Sequence, residues 1–467
     1  MTTPETLTTL DKALQVNLDP KRYGTFAEIG AGQEVVRWFF QAGGAAGTIS
    51  KSISAYDMKV SDAIYGKCQR YVCQDRLESM LEYEQNLNFE RLKTDRGDTT
   101  AFFTFADTVS ARNYHGTNEC HGWLGVRFQA HPRDESSQIV IHVRMLDHSN
   151  ALQQDALGIV GVNLVYGACM LHHHPDELLK SLLDNLTTER IEIDMIEFSG
   201  IEFRHVDNRL MSLKLVQMGL TSAAMFGAEG KVLQPSEVFR KKSVLVERGS
   251  FRPVCNTNID IMRCAHERFC QEPDVDPDST LQIMEITMKN LMGDRGEIDY
   301  ADFLARADML VASGMTVLIS DYFQYYRLAA YISRYTTKMI GISMGIGSLR
   351  ELFDEKYYTQ LEGGILESFG RLFKNDIKLY IYPLQEDGNE ELTTIDNLRV
   401  SHELRNLYKY LIDRGCIEQL QNHDPACLTI FSRAVLEKIA ASDPTWESMV
   451  PAEVAEVIKS RGYFGYS

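Results

Sequence analysis

The stretch Leu281-Gln-Ile-Met-Glu285 is a short apolar run that is typical of a buried strand. A helical pattern follows from Asp302, and the chain then passes through Gly314-Met-Thr316 into a second apolar run, Val317–Ser320. Asp suits the N-cap of a helix, and Gly suits the position after its C-terminus. A strand, a helix and a strand in this order predict a βα unit with two parallel strands.

Residues 191–252 resemble residues 281–345. When the two segments are aligned on Asp207 and Asp302, both predicted helices carry Leu-Val and both reach Gly-x-Thr at the same offset. The segments are therefore candidate copies of one βαβαβ half, and two such halves form a doubly wound sheet. A cap, a helix, a glycine and a strand are also what any α/β protein produces, so a duplication remains one of two interpretations.

The sequence predicts an α/β protein with a mostly parallel sheet of repeated βα units. It divides into a mainly helical region (1–98), an α/β core (99–392) and a helical cap (393–467). The predicted strands of the core are Ala101–Ala106, Leu124–Phe128, Ile139–Met145, Ile191–Phe198, Ser243–Glu247, Leu281–Thr287, Thr316–Ser320, Met339–Met344 and Lys378–Tyr382. Polar residues alternate with apolar ones in Ile191–Met195, which indicates a sheet edge, a wet site or the interior of a βα barrel, the alternative architecture.

Composition excludes several classes of protein. The 467 residues carry a net charge of −17, which argues against nucleic acid or an anionic membrane as a partner. The nine cysteines form no Cys-x-x-Cys pair, which indicates reduced thiols rather than a disulfide scaffold. No signal-peptide pattern opens the sequence, and we expect a cytoplasmic protein. The longest apolar run, Ala156–Leu171, is shorter than a bilayer span and predicts a buried helix.

Acidic residues at predicted strand ends are the main candidates for chemistry, because ligands of parallel α/β folds gather beyond the carboxyl ends of the strands. The candidate catalytic residues are Glu197, Glu247, Glu285 and Asp321. Glu197 and Glu285 are also the candidate ligands of Mg²⁺, the candidate cofactor. The candidate substrate-binding residues are Arg248, Arg252 and Lys289, which could take a phosphate. The same acids would serve equally well as helix caps or surface ion-pair partners.

A glycine turn, Glu28-Ile-Gly30-Ala-Gly32-Gln-Glu34, precedes a helical run. It resembles the cofactor-binding turn of S-adenosylmethionine methyltransferases, in which glycines let the backbone approach the ligand. The resemblance implies that Glu28, Gly30, Gly32 and the later Asp57 would bind the cofactor. No further methyltransferase motif follows, and a simple turn before a buried helix is the competing interpretation.

Three consecutive histidines, His172 to His174, stand before Pro175. Adjacent side chains on a helix point in different directions, so the run predicts an exposed helix end or loop rather than a metal site.

From Tyr23-Gly-Thr-Phe-Ala-Glu-Ile-Gly-Ala-Gly-Gln33 to Glu362-Gly-Gly-Ile-Leu-Glu-Ser-Phe-Gly-Arg-Leu-Phe-Lys-Asn375, the chain resembles a bacterial family with no settled activity. Its members are described either as nicotinate-nucleotide adenylyltransferase or as TonB-dependent receptor. The receptor description implies an export signal and many amphipathic barrel strands, and the sequence has neither pattern. The transferase description implies a nucleotide substrate and an early His-x-Gly-His site, yet the first histidine is His115.

The leading hypothesis is a cytosolic enzyme that acts on a phosphorylated or nucleotide-like metabolite with the help of Mg²⁺. A non-catalytic assembly or regulatory protein and a methyltransferase-like protein are the alternatives. The sequence leaves open whether the chain is catalytic and whether it forms a homo-oligomer.

Overall fold

The structure is a computed structural model that describes residues 6–293, 296–386 and 391–466. The chain divides into two compact units, Met1–Thr221 and Ser222–Ser467. Within the described ranges, no helix combines the length and apolarity that crossing a membrane requires.

The first unit contains one sheet and several helices. Its strands are β1 (Arg22–Gly30), β2 (Ile49–Ala55), β3 (Ala101–Ser110), β4 (His121–Phe128), β5 (Ser137–Met145) and β6 (Ile191–Ser199). Its helices are α1 (Thr9–Asn17), α2 (Val35–Ala42), α3 (Met58–Tyr65), α4 (Gln74–Arg96), α5 (Asn150–Met170), α6 (Pro175–Ser181) and α7 (Asn208–Gln217).

The first sheet is mixed, with the strand order β2-β1-β3-β4-β5-β6. β1 runs parallel to β2 and β3, whereas β3, β4, β5 and β6 pair antiparallel. Helices cover both faces of this sheet, and alternate residues of each strand point to opposite faces. Leu124 belongs to the core that also contains Leu157 and Val160 of α5. Its neighbour Gly125 faces Leu77 and Leu81 of α4, where a Cβ atom would stand 2.7 Å from Leu81.

The second unit holds a larger sheet. Its strands are β7 (Ala223–Phe226), β8 (Val232–Leu233), β9 (Ser243–Arg248), β10 (Thr280–Thr287), β11 (Thr316–Ser320), β12 (Ile340–Gly345), β13 (Ile377–Tyr382) and β14 (Ile417–Gln419). Its helices are α8 (Pro235–Phe239), α9 (Asn256–Phe269), α10 (Met288–Leu291), α11 (Tyr300–Ala312), α12 (Tyr325–Ile332), α13 (Ile346–Leu352), α14 (Gly364–Leu372), α15 (Arg405–Asp413), α16 (Ser432–Ala440) and α17 (Ala452–Arg461).

The strand order of the second sheet is β14-β13-β12-β9-β10-β11-β7-β8. The six strands from β9 to β14 are parallel, and β7 and β8 extend the β11 edge antiparallel. When these six are numbered in chain order, they lie as 3-2-1-4-5-6, the order of a doubly wound sheet. The direction of winding therefore reverses between β9 and β12. Loops that leave these two strands at their carboxyl ends diverge there and leave a crevice.

The α/β class predicted from the sequence is confirmed, and both sheets are open rather than closed into the alternative barrel. The predicted helix 156–171 is α5, which is buried along most of its length. β6 is the last strand of the first sheet, and the polar residues of the alternation in Ile191–Met195, Glu192 and Asp194, are buried where they pair with Arg144 and His142 of β5.

Other features differ from the sequence-based predictions. The region before residue 98 supplies β1 and β2 as well as helices, and the region after 392 supplies β14. The two candidate repeat segments occupy different settings, since β6 lies antiparallel at the edge of the first sheet and β10 lies parallel inside the second. Asp207 caps α7 as predicted, but α11 begins at Tyr300 with Asp299 as its N-cap instead of Asp302.

Candidate functional site

A cavity of about 270 Å³ opens at the carboxyl edge of the second sheet, where the winding reverses. Residues at or beyond the carboxyl ends of four neighbouring parallel strands line it. They are Arg248 to Ser250 at the end of β9, Thr287, Lys289 and Asn290 at the end of β10, Phe323 to Tyr325 after β11, and Ser348, Glu351, Leu352, Tyr357 and Tyr358 after β12. We refer to this cavity as the switch-point pocket.

A buried ion pair forms one wall of the switch-point pocket. The Arg248 guanidinium donates two hydrogen bonds to the Glu285 carboxylate, at 2.7 and 3.0 Å, and the Ser320 hydroxyl donates a third at 2.5 Å. Arg248 also donates to the carbonyl of Phe323 at 2.6 Å, and its guanidinium lies 4.3 Å from the centre of the Tyr325 ring. Two-point pairing of this kind holds both side chains in fixed positions. The wall is therefore rigid.

Glu285 belongs to this ion pair, and its predicted catalytic and Mg²⁺-binding roles stay predictions. Its side chain is fully buried, and both of its oxygens accept hydrogen bonds from Arg248. Three donated hydrogen bonds occupy most of the acceptor positions of this carboxylate. Arg248 is likewise neutralised by its partner, although it lines the pocket as the sequence suggested.

Lys289 is the cation of the switch-point pocket that keeps its charge available. Its ammonium lies 4.3 Å from the centre of the Phe323 ring and 5.8 Å from that of Tyr357. It makes no ion pair with any carboxylate in the described ranges. The neighbouring Asn290 donates to the carbonyl of Gly249 at 3.0 Å, which ties the start of α10 to the loop after β9. Lys289 is therefore a cation that aromatic faces position without neutralising it.

Glu247 lies beside Arg248 on β9 and so points to the opposite face of the sheet. Its carboxylate accepts one hydrogen bond, from the Asn258 amide at 2.9 Å, and Oε2 has no partner in the described part of the chain. Burial raises the pKa of Glu247 to about 8, and the Asn258 hydrogen bond opposes this only in part. Glu247 is therefore a buried acid that stays protonated at neutral pH. It does not line the switch-point pocket.

The remaining predicted site residues lie elsewhere. Glu197 belongs to β6 of the first unit, where it accepts a hydrogen bond from Gln74 at 2.9 Å. Arg252 pairs with Asp302 at 2.5 Å, and Asp321 is exposed just after β11, where its N–H donates to the carbonyl of Ser222. The predicted convergence of four acids at one sheet edge is therefore not formed, because Glu197 lies on an antiparallel strand of another sheet. Glu197 belongs to the first unit and Glu285 to the second, so neither unit by itself contains both of the predicted Mg²⁺ ligands.

The glycine turn of the first unit follows β1 and precedes α2, as the sequence indicated, but its polar groups contact one another. The Glu28 carboxylate accepts a hydrogen bond from the N–H of Val35 at 2.9 Å, and burial raises its pKa to about 8. Gly30 has a φ of +76°, and a Cβ on Gly32 would stand 2.1 Å from an Asp107 oxygen. Each glycine therefore has a structural reason to be there.

The Asp57 carboxylate is also occupied by hydrogen bonds within the protein. It is the N-cap of α3, and its carboxylate accepts hydrogen bonds from the N–H groups of Lys59 and Val60. Cofactor binding by Glu28, Gly30, Gly32 and Asp57 stays a prediction.

Sequence reasoning missed the aromatic lining of the switch-point pocket. Phe323, Tyr325 and Tyr357 surround the two cations, and the first two follow β11 directly. The strand-end rule that selected the acids would have selected these residues as well, had it been applied to the run Asp321-Tyr-Phe-Gln-Tyr-Tyr326.

Comparisons with known proteins add little to this geometry. No protein-family profile matches the chain, and no curated protein matches it. A competence/damage inducible protein from Agrobacterium tumefaciens is 12% identical over 35% of this chain and 97% of its own, with a TM-score of 0.25. Proteins of the competence-damaged (CinA) superfamily from Enterobacter cloacae and Escherichia coli are 12% and 15% identical, with TM-scores of 0.26 and 0.24. They match 36% and 38% of this chain and 96% and 91% of their own. Likeness at this level does not establish a shared fold.

Proposed function

We propose that the second unit binds a small phosphorylated or nucleotide-like metabolite in the switch-point pocket. The observation that carries the proposal is Lys289, an unneutralised cation held between aromatic faces at the point where a doubly wound sheet reverses direction. This point is where open α/β sheets bind their ligands.

The chemistry of the lining suits a ligand with an anionic end and a planar end. The Lys289 ammonium offers hydrogen bonds and charge to a phosphate or carboxylate. Phe323 is 38% exposed, and its ring stands beside Lys289, so a planar base can stack there. The volume of about 270 Å³ lies just below the range of about 300–1,000 Å³ that is usual for ligand sites. It favours a mononucleotide or a smaller metabolite over a dinucleotide.

The Arg248–Glu285 pair contributes to ligand binding as a fixed wall of the switch-point pocket. Because the pair is neutral as a unit, it neither repels an anionic ligand nor competes with Lys289 for it. A wall that does not rearrange on binding lowers the entropic cost of association. The proposed function is a binding function, and no group of the pocket is assigned a catalytic step.

Calorimetric titration tests the proposal with nucleoside monophosphates, sugar phosphates, inorganic phosphate and the uncharged parent nucleosides. K289M should weaken binding of the phosphorylated compounds by roughly ten- to a hundredfold, because a hydrogen bond to a charged group contributes about 1.5–3 kcal/mol. K338M is the matched control, since Lys338 is an exposed lysine of the same unit that precedes β12 at the opposite end of the strand.

A second variant separates the two ends of the ligand. F323L should weaken binding of nucleotides but not of sugar phosphates, because only the former have a base that stacks. Equal affinities for K289M and the unaltered protein, or an equal loss in K338M, would refute the proposal. The same holds if no phosphorylated compound binds at all.

A further inference from the structure

The turn between α5 and α6 brings two histidines toward a glutamate of another element. His172 and His173 follow the end of α5, and Glu202 lies in the 3₁₀ turn Ile201–Phe203 after β6. Aromatic packing positions both segments, because the ring of Phe128 at the end of β4 lies 5.4 Å from that of His172 and 6.0 Å from that of Phe203. The three polar side chains therefore meet at the end of the first sheet.

Their donor atoms form a compact group. One ring nitrogen of His172, one of His173 and one carboxylate oxygen of Glu202 all lie within 4.8 Å of one another. His173 Nδ1 is 3.9 Å from Glu202 Oε2, and the two histidine rings are 3.9 Å apart between centres. Because the segment is a turn rather than a regular helix, adjacent histidines can face the same point. The sequence-based expectation of an exposed loop holds for His173 but not for His172.

His172 supplies the independent sign of a ligand. Its side chain is buried, with only 5% of its surface exposed, and neither ring nitrogen makes a hydrogen bond of normal geometry in the described part of the chain. A buried polar group without a partner costs about 1–3 kcal/mol.

We propose that His172, His173 and Glu202 bind Zn²⁺ through three protein ligands, with the fourth position open to water or another ligand. Two imidazoles and one carboxylate are a ligand set that suits zinc. Zinc bonds of about 2.0–2.2 Å in a tetrahedron place ligand atoms roughly 3.3–3.6 Å apart, so the group must close by about 1 Å. His173 is 60% exposed and Glu202 is 22% exposed, and both can rotate by this amount while the buried His172 stays in place.

Arg22 and His131 are neighbouring basic groups that oppose a cation at His172. Arg22 faces His172 and disfavours a cation there, but its guanidinium is held by the carbonyls of Gln129 and Cys169 at 2.6 and 3.1 Å. Those two bonds hold the guanidinium against backbone oxygens, and the Asp19 carboxylate lies 3.5 Å from Arg22 Nε.

The test uses the full chain without an affinity tag, freed of metal by a chelator and titrated with Zn²⁺ and with Co²⁺. We expect one strong site per chain and the visible absorption bands of four-coordinate Co²⁺. H173A and E202Q change accessible side chains, so folding is retained, and each should weaken binding by at least about tenfold. H174A is the matched control, because His174 is exposed and belongs to the same histidine run but not to the group of donor atoms.

Three results would overturn the proposal. One is the lack of a one-to-one site for Zn²⁺. Another is an equal loss of affinity in H174A and H173A, which would indicate unspecific binding by the histidine run. The third is unchanged affinity in E202Q, which would exclude the carboxylate as a ligand.

Discussion

Replacing Glu247 with Gln should make the protein more stable at alkaline pH than the unaltered chain. Glu247 is 3% exposed, and burial raises its pKa in the folded state to about 8, from an ordinary value of 4.5. The unfolded chain therefore releases this proton at a lower pH than the folded chain does. Stability is retained in full below pH 4.5, falls as the pH rises toward 8, and reaches its minimum above that value.

The size of the effect follows from the two pKa values. Each pH unit between them costs about 1.4 kcal/mol, so the contribution of Glu247 to the free energy of unfolding should fall by about 4 kcal/mol between pH 5 and pH 9. Gln does not ionise, and its oxygen can still accept the hydrogen bond from Asn258. Any cost of leaving the Oε2 position without a hydrogen-bond partner is the same at pH 5 and pH 9. It therefore does not affect how the difference in unfolding free energy changes with pH.

Equilibrium urea unfolding, followed by circular dichroism at pH 5, 7 and 9, measures this difference. The gain in unfolding free energy of E247Q over the unaltered chain should grow with pH. E453Q controls for the loss of one charge, because Glu453 is exposed in α17 of the same unit. A gain that is the same at all three pH values, or that shrinks as the pH rises, would show that Glu247 is not held in its neutral form by burial.

Three further variants test contacts that the structure assigns. E285Q should destabilise the protein by about 3–5 kcal/mol in urea unfolding, because Arg248 would stay buried with its charge uncompensated, and a loss below about 1 kcal/mol would contradict this. G32A should lose about 1–3 kcal/mol, since the new Cβ would lie 2.1 Å from an Asp107 oxygen, and an unchanged unfolding midpoint would refute that packing. D107N should gain stability over the unaltered chain as the pH rises from 5 to 9, because burial and then the charge of Glu28 raise the pKa of Asp107. The opposite slope would indicate an ionised Asp107.

The sequence predicted part of the switch-point pocket, because the rule used to select its residues applies only to the carboxyl ends of parallel strands. Arg248 ends one parallel strand of the second sheet and Lys289 follows another, so a rule written for parallel strands placed them at the switch-point pocket. The same rule selected Glu197, whose strand pairs antiparallel with β5. Strand direction and sheet membership depend on pairing between residues far apart in the chain, and no local pattern carries that information.

The histidine run illustrates a different failure. His172 to His174 look alike in sequence, yet only His172 is buried against Phe128. The turn after α5 directs the rings of His172 and His173 toward Glu202, which lies 29 positions after His173 in the chain. Helical geometry argued against a shared direction, but the segment is not helical.

Local chemistry alone determined the elements of this protein. Apolar runs produced strands such as β10 and β12 and the buried helix α5, and Asp207 capped α7, because these outcomes depend on residues a few positions apart. Tertiary structure decided the division after Thr221, the reversal between β9 and β12, and the neutralisation of Glu285 by Arg248. Each of these depends on which distant segments gain most free energy by packing together, and that choice is made by the whole chain at once.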